Sequence, residues 1–526
     1  MSAPAPTETE LVGDRLDPGG IQAQNTAQML SERQAIDASC RAPVLLFLGS
    51  SVFWLMVGTI LALLASIKLH TPTLHSNISF LTFGRVRPAH LDMVAFGWSA
   101  MVGLGVSIWT VCRLCRVPLR FPQMIVMAAI IWNIGVAAGL YGVLAGQSNS
   151  IEWIEFPQYA TFTLFVAFAI VAIWTIMTFT QRREKHVYVS LWYIFASMFW
   201  FPWIYATVQV LMNSPYAVQG VPQEAIHWWF GHNTLGVFFT PMGLAAIYYL
   251  LPKVIGRPIH SYALSILGFW SLALFYNWAG AHHLIAGPIP AWLITMSIVS
   301  SVMMFIPVTT TAINHHLTAY QHLDMLKFSP VLRFVVFGAM AYTLVSFQGS
   351  MMSVRVLNEP FHFTHHTIAH AHLGLYGFYT MVMFGAVYYI MPRLTGREFF
   401  SAHLMRVHFW CVAIGIVLMF FTLTIGGAIQ GLDWNQAKRP LHDLIKEQGF
   451  ISGLEAWFDS FKARQDQPIP FMTVLHEVLP YLWIRTFSGI LIFLGHSAFA
   501  ILVFWNLFGG GVTRIRTMLW PQKVSA

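Results

Sequence analysis

The chain has 526 residues, 56% of them hydrophobic and only 10% charged, with a mean hydropathy of +0.61. That balance excludes a large soluble domain and a disordered chain, and it describes a polytopic membrane protein lying in a lipid bilayer. The formal charge of +8 is spread over short loops, which points to membrane topology and excludes nucleic-acid binding.

Residues 1–42 are polar, punctuated by Pro and Gly, and lack the apolar core of a signal peptide, so they predict a loosely attached N-terminal tail. Apolar segments of spanning length follow at about 43–67, 90–112, 122–145, 158–180, 188–212 and 225–252, then near 260–284, 290–314, 329–353, 366–390, 403–428 and 481–508. They predict an all-α integral membrane bundle of twelve transmembrane helices over 43–510, with a second tail over 511–526. Basic clusters follow the even-numbered segments: Arg113, Arg116 and Arg120; Arg182, Arg183 and Lys185; Lys253 and Arg257; Lys327; Arg393 and Arg397; and Arg514, Arg516 and Lys523. The excess of Lys and Arg on that side predicts that both termini are cytoplasmic. The odd-numbered loops are poorer in these residues, apart from Arg85 and Arg87 and a long mixed-charge loop at about 430–480. Within that loop Gly453–Asp459 is amphipathic and predicts a helix on the outer surface or against a partner subunit. Cys112 and Cys115 form a lone C-x-x-C with no second pair to complete a zinc or iron–sulfur site, and they read as incidental thiols at a helix end.

Histidines give the apolar segments their chemistry, because an ionisable group within a span is costly and usually faces a functional interior. His90 opens segment two, His232 lies two turns into segment six, His282 and His283 end segment seven, and His370 and His372 open segment ten. In the predicted topology all six share the outer third of the membrane. Residues two apart on a helix point about 200° from one another, so His370 and His372 serve opposite sides of one rod. A low-spin heme needs two axial ligands, which His90 and one segment-ten histidine can supply; a high-spin heme needs one, which leaves the other. His232, His282 and His283 then suit a copper ion. Zinc also accepts three imidazoles, but a hydrolytic zinc site brings a general-base carboxylate, and the sequence contains no H-E-x-x-H.

Four motifs carry a resemblance: Phe83-Gly84-Arg85-Val86-Arg87-Pro88-Ala89-His90, Trp228-Trp229-Phe230-Gly231-His232-Asn233, Trp278-Ala279-Gly280-Ala281-His282-His283, and His370-Ala371-His372. Over roughly residues 45–430 plus the last span, the chain resembles the heme–copper oxidase superfamily, and within it subunit I of the cbb3-type (C-family) cytochrome c oxidases. The resemblance implies that His90 and His372 are the axial ligands of a low-spin heme b, that His370 is the axial ligand of a high-spin heme b, and that His232, His282 and His283 hold copper. It also implies a bacterial cytoplasmic (inner) membrane location, partner subunits carrying c-type heme, cytochrome c or a similar donor, and dioxygen reduction coupled to proton translocation.

Tyr276 refines the subclass. Other oxidase families follow a copper histidine four residues later with a tyrosine, a position that is Gly236 here, whereas the C-family carries its tyrosine one helix on. Tyr276 precedes His283 by seven residues, about two α-helical turns, which predicts that its phenol reaches the metal pocket and furnishes an electron and a proton. Tyr262, Ser265 and Tyr276 fall close to one face of segment seven and predict a proton path from the inside. Arg85, Arg87 and His362 are expected to pair with heme propionates. Glu152 and Glu155 resemble acidic positions near the family's calcium site. The chain departs from the pattern at Ser346-Phe347-Gln348-Gly349-Ser350-Met351-Met352, where Gln348 replaces a glutamate and brings proton delivery by the usual arrangement into question. His365 replaces an acidic residue near the propionates, and a divergent branch is expected. Two other readings compete: a nitric oxide reductase of the same superfamily, which expects carboxylates around a non-heme iron, and a transporter or heme scaffold without turnover.

Overall fold

The computed structural model describes residues 20–149, 151–434, 441–460 and 471–509. Among these the regular structure is entirely helical. The elements are α1 (Gly20–His70), α2 (Phe83–Cys115), α3 (Pro122–Ala145), α4 (Gln158–Thr180), α5 (Val189–Asn213), α6 (Val221–Ile255) and α7 (Tyr262–Leu284). They continue as α8 (Ala291–Tyr320), α9 (Pro330–Met352), α10 (His365–Thr395), α11 (Ala402–Trp434), α12 (Leu441–Gln448), α13 (Phe450–Ser460) and α14 (Phe471–Phe508). All but α12 and α13 are long and apolar enough to cross a membrane, giving twelve spans among the described residues.

Two boundaries differ from the sequence expectation. The predicted tail over 1–42 is helical from Gly20 onward, and α1 runs unbroken into the membrane. Tertiary contacts supply the reason. Ile36 and Cys40 are buried, Asp37 accepts from Trp109 Nε1 at 2.8 Å and Arg113 at 2.9 Å, and Glu32 accepts from Arg116 at 2.6 Å. The stretches 1–19 and 510–526 lie outside the described residues. The 430–480 loop is also shorter than its charge pattern suggests, since α11 continues to Trp434 and α14 begins at Phe471. The amphipathic stretch 453–459 falls in α13, with Trp457 and, from α12, Leu444 buried beneath it. Residues 435–440 and 461–470 are outside the described set.

Three spans form the centre. The apolar stretches of α2, α6 and α10 are 94%, 89% and 78% buried, against 39–61% for the other spans, so these three are packed on every side by neighbours. Each carries a π turn directly after its histidines: Met93–Ala100 after His90, Thr234–Phe239 after His232, and Leu373–Thr380 after His372. A π turn widens the helix by one residue and re-aims the side chains beyond it, and such turns concentrate at functional sites. α6 and α10 also end alike, as Tyr248-Tyr249-Leu250-Leu251-Pro252-Lys253-Val254-Ile255-Gly256-Arg257 and Tyr388-Tyr389-Ile390-Met391-Pro392-Arg393-Leu394-Thr395-Gly396-Arg397. Gly256 and Gly396 stop them at φ 71° and 68°, a left-handed cap that glycine adopts without strain.

Candidate metal centres

α6 and α7 bring three imidazoles together. His232 stands just before the π turn of α6, and His282 and His283 occupy a 3₁₀ turn, Gly280–Leu284, that closes α7. One ring nitrogen from each lies within 4.8 Å of the others. His232 Nδ1 faces His283 Nε2 at 3.3 Å, Ser301 of α8 holds His282 Nδ1 at 2.6 Å, and Trp228 stacks on His283 at 4.6 Å. Buried His232 Nε2 has no hydrogen-bond partner. Three converging imidazoles, one with an orphaned nitrogen and no carboxylate in the group, fit a copper ion held at about 2 Å per ligand. No other set of three or more His, Cys, Asp or Glu ligands converges this way among the described residues.

Tyr276 joins this cluster by a different route from the one its spacing suggests. The α-helical part of α7 ends at Phe275, and Tyr276–Trp278 continues as 3₁₀ helix, so the two-turn α spacing to His283 is not realised. The phenol instead lies flat on His232, with ring centroids 4.4 Å apart and planes 23° from parallel. Gly236 makes room for it. A Cβ at 236 would lie 1.5 Å from Tyr276 Cε1 and 1.7 Å from Cζ, so the position that bears the tyrosine in other oxidase families must here be empty.

On α10 the two histidines have different neighbours. His372 lies near His90 of α2, whereas His370 lies near His232, His282 and His283. His90 Nδ1–H donates to the Gly58 carbonyl at 2.9 Å and His372 Nδ1–H to the Ile368 carbonyl at 2.8 Å. With Nδ1 protonated, each keeps its Nε2 lone pair for an axial metal, the usual way a second contact fixes a ligand's tautomer. His370 Nδ1 donates to Gln348 Oε1 at 3.2 Å, and Gln348 Nε2 reaches His366 Nε2 at 3.2 Å. Gln348 therefore orients His370 from the last two turns of α9. Gly349 packs on the same ring, 2.9 Å from His370 Cε1 to where a Cβ would sit.

The polar rim departs from the sequence reading. Arg85 bonds the Leu144 carbonyl at the end of α3 at 3.0 Å, and Arg87 is paired with Glu152. Arg485 of α14, which the sequence reading missed, faces His90, His372 and His365 with Arg87 nearby, and it makes no salt bridge among the described residues. A guanidinium so placed fits the anionic edge of a heme. Its signal was present in the sequence as a lone arginine inside the last span. His362 has a buried Nε2 without a partner and faces His282 and His283.

Glu152 and Glu155 do not converge on a shared cation site. Glu152 is taken by Arg87, and Glu155 is buried against Asp92 of α2, with burial pushing its carboxyl up to about 8. A folded-state carboxyl above its ordinary 4.5 destabilises the fold as pH rises from about 4.5 through 8, because the unfolded chain ionises first. Glu155→Gln is expected to remove that loss, so thermal unfolding in detergent should show a flatter dependence over this pH range than the parent. A parent and variant with parallel profiles would count against the protonated form.

The segment-seven proton path is only partly realised. Tyr262 OH turns to the Val187 carbonyl at 3.4 Å. Ser265 instead accepts from Asn314 Nδ2 of α8 at 2.8 Å, and the same nitrogen reaches Tyr248 OH of α6 at 3.4 Å. Thr311 faces Tyr248, Tyr193 and Tyr342, and Tyr342 in turn faces Tyr276. These polar groups lie on five helices, and the Thr311 Oγ1 and Tyr342 OH among them have no hydrogen-bond partner. At the end away from Tyr276, Tyr248 borders a cavity of about 290 Å³ that is also lined by Glu32, Arg113, Glu184, His186 and Lys253.

With this geometry in view, the chain belongs to the heme–copper oxidase family, matching cytochrome c and quinol oxidase polypeptide I over residues 42–491. It is 33% identical over 419 residues to a protein of Bradyrhizobium diazoefficiens named cytochrome c oxidase subunit 1 homolog, bacteroid, covering 77% of this chain and 75% of that one. It is 31% identical over 423 residues to the cbb3-type cytochrome c oxidase subunit CcoN1 of Stutzerimonas stutzeri, covering 79% and 88%. Within the family it is a divergent cbb3-type member. A heme–copper terminal oxidase dimer solved by electron cryo-microscopy shares its fold, with a TM-score of 0.67 at 15% identity over 92% of this chain and 85% of that one.

Proposed function

We propose that the chain is the catalytic subunit of a terminal respiratory oxidase that reduces dioxygen to water with electrons from cytochrome c, delivered through partner subunits carrying c-type heme. The observation that supports this most directly is Tyr276 stacked on His232 within a trio of imidazoles that His370 lies near. In this reading His90 and His372 hold a low-spin heme b, His370 a high-spin heme b, and His232, His282 and His283 a copper ion. Those groups, when bound, supply electron transfer and the binding of dioxygen. Tyr276 gives up its phenolic proton with one electron and recovers both before the next turnover. Arg485 and His362 take the propionates.

Protons enter from the cytoplasm, with both termini on that side of a bacterial inner membrane, and residues 43–510 form the catalytic domain. They pass from the inner cavity by way of Tyr248, Asn314, Ser265, Thr311 and Tyr342 to Tyr276. Each of these groups both donates and accepts, as a relay requires. Proton translocation accompanies the reaction through the same helices.

Metal analysis of the purified complex tests the reading, with two hemes b and one copper per chain expected. Non-heme iron in place of copper would mark a nitric oxide reductase, and absence of stoichiometric metal would mark a transporter or scaffold. Gln348→Glu provides a second check. A carboxylate accepting from His370 Nδ1–H makes that imidazole a stronger donor, so the high-spin heme potential should fall while proton yield per electron stays at the parent value. Redox titration and proton release from vesicles measure the two. A changed proton yield at an unchanged potential would return position 348 to the proton route.

A further inference from the structure

One group of buried titratable side chains, between α1, α10, α11 and α14, has no part in the scheme above. His496 of α14 meets Thr59 Oγ1 of α1 through Nδ1 at 2.7 Å and Tyr376 OH of α10 through Nε2 at 2.7 Å. Thr59 spends its own hydroxyl proton on the Leu55 carbonyl at 2.7 Å, so toward His496 it can only accept. The tautomer follows. Nδ1 carries the proton, and Nε2 presents a lone pair that receives the Tyr376 O–H. Across Phe384 and Phe499 lies His408 of α11, bonded through Nδ1 to Tyr388 OH at 2.8 Å, with its Nε2 buried and without a partner.

The position of this group is what gives it meaning. Thr59 directly follows Gly58, whose carbonyl holds His90, and Tyr376 stands one turn beyond His372 on α10. The titratable groups facing His496 and its phenol partner are Tyr376 and Tyr388 of α10 and His408 and Cys411 of α11, while α1 contributes only the Thr59 hydroxyl. No charged side chain is among them. A buried imidazole pair, linked through Thr59 and Tyr376 to the backbone that carries the contacts of His90 and His372, is a base that added negative charge at that centre would favour protonating.

We propose that His496, hydrogen-bonded to Tyr376, is a redox-linked proton acceptor for the low-spin heme. When one electron arrives there from the c-type heme donor, His496 Nε2 takes up one proton from the inner side, and it releases that proton when the electron moves on. The only bond made or broken is N–H. Protonation reverses the contact: Nε2–H then donates to the Tyr376 oxygen, and the phenol proton turns away. His408 Nε2 is the next acceptor inward. The proposal rests on His90 and His372 holding the low-spin heme.

The test uses the purified complex with carbon monoxide on the high-spin centre, so that the low-spin heme is the only heme b that titrates, and its optical band is read apart from those of the c-type hemes. In the parent, the affinity of that heme for its electron should fall with rising pH, up to tenfold per unit, or about 59 mV for one electron. The infrared difference spectrum of a histidine-labelled sample should show imidazole becoming imidazolium on reduction. His496→Gln should lose the labelled band and flatten the slope, while Tyr376→Phe, which removes one oxygen, should shift the pH at which the band appears. A parent without the band, or a His496→Gln enzyme that keeps both band and slope, overturns the proposal. Should His496→Gln not assemble, an unmoved band in Tyr376→Phe overturns it instead. Failure of the heme placement itself is seen separately, as a low-spin optical spectrum that survives replacement of His372.

Discussion

Tyr276→Phe is expected to keep both hemes and the copper while cutting dioxygen turnover by about a hundredfold or more, the usual scale for removing a positioned proton donor. The phenol oxygen is the only atom lost, and the ring can still stack on His232 and fill the space that Gly236 leaves. Metal content and optical spectra should therefore match the parent. Turnover measured with reduced cytochrome c decides the matter, and retention of most of the parent rate would reduce Tyr276 to a packing role. Gly236→Ala provides the complementary case, because a methyl group there would collide with the phenol ring and should displace it from His232.

Replacing the α10 histidines one at a time should separate two spectral components. His372→Ala removes a group that lies near His90, so the low-spin signal should vanish while a heme that binds carbon monoxide persists. His370→Ala removes a group that lies near the imidazole trio and should do the reverse. Each loss should be essentially complete, since one missing axial ligand leaves that heme without its proper coordination. Optical spectra with and without carbon monoxide read both outcomes. Loss of the same component in both variants would mean that the two rings serve one centre.

The six histidines stand out in the sequence because each is a polar group within an apolar run, a costly placement that favours a functional interior. The span count could be read for the same reason. Tyr276 was found by its place in the chain, but its geometry was not, since nothing in Phe275-Tyr276-Asn277-Trp278 announces a change from α to 3₁₀ winding. The π turns of α2, α6 and α10 were equally hidden, because helices apolar on every side lack the polar stripe that would show a shift in register. Asn314, Thr311, Tyr248 and Tyr342 are ordinary helix residues taken singly, and their alignment exists only across packed helices. Arg485 is legible in the sequence as a lone arginine inside the last span.

The first helix has a practical consequence. At 1.5 Å per residue its 51 residues extend to about 77 Å, well beyond the roughly 45 Å of a bilayer with its headgroups. Its emergent stretch is tied to the body of the protein by Glu32 and Asp37, on the N-terminal side of Pro43. A compact domain fused in helical phase near residue 20 should therefore keep a fixed bearing relative to the bundle. That would provide the asymmetric landmark that particle images of a protein largely hidden in a detergent belt otherwise lack.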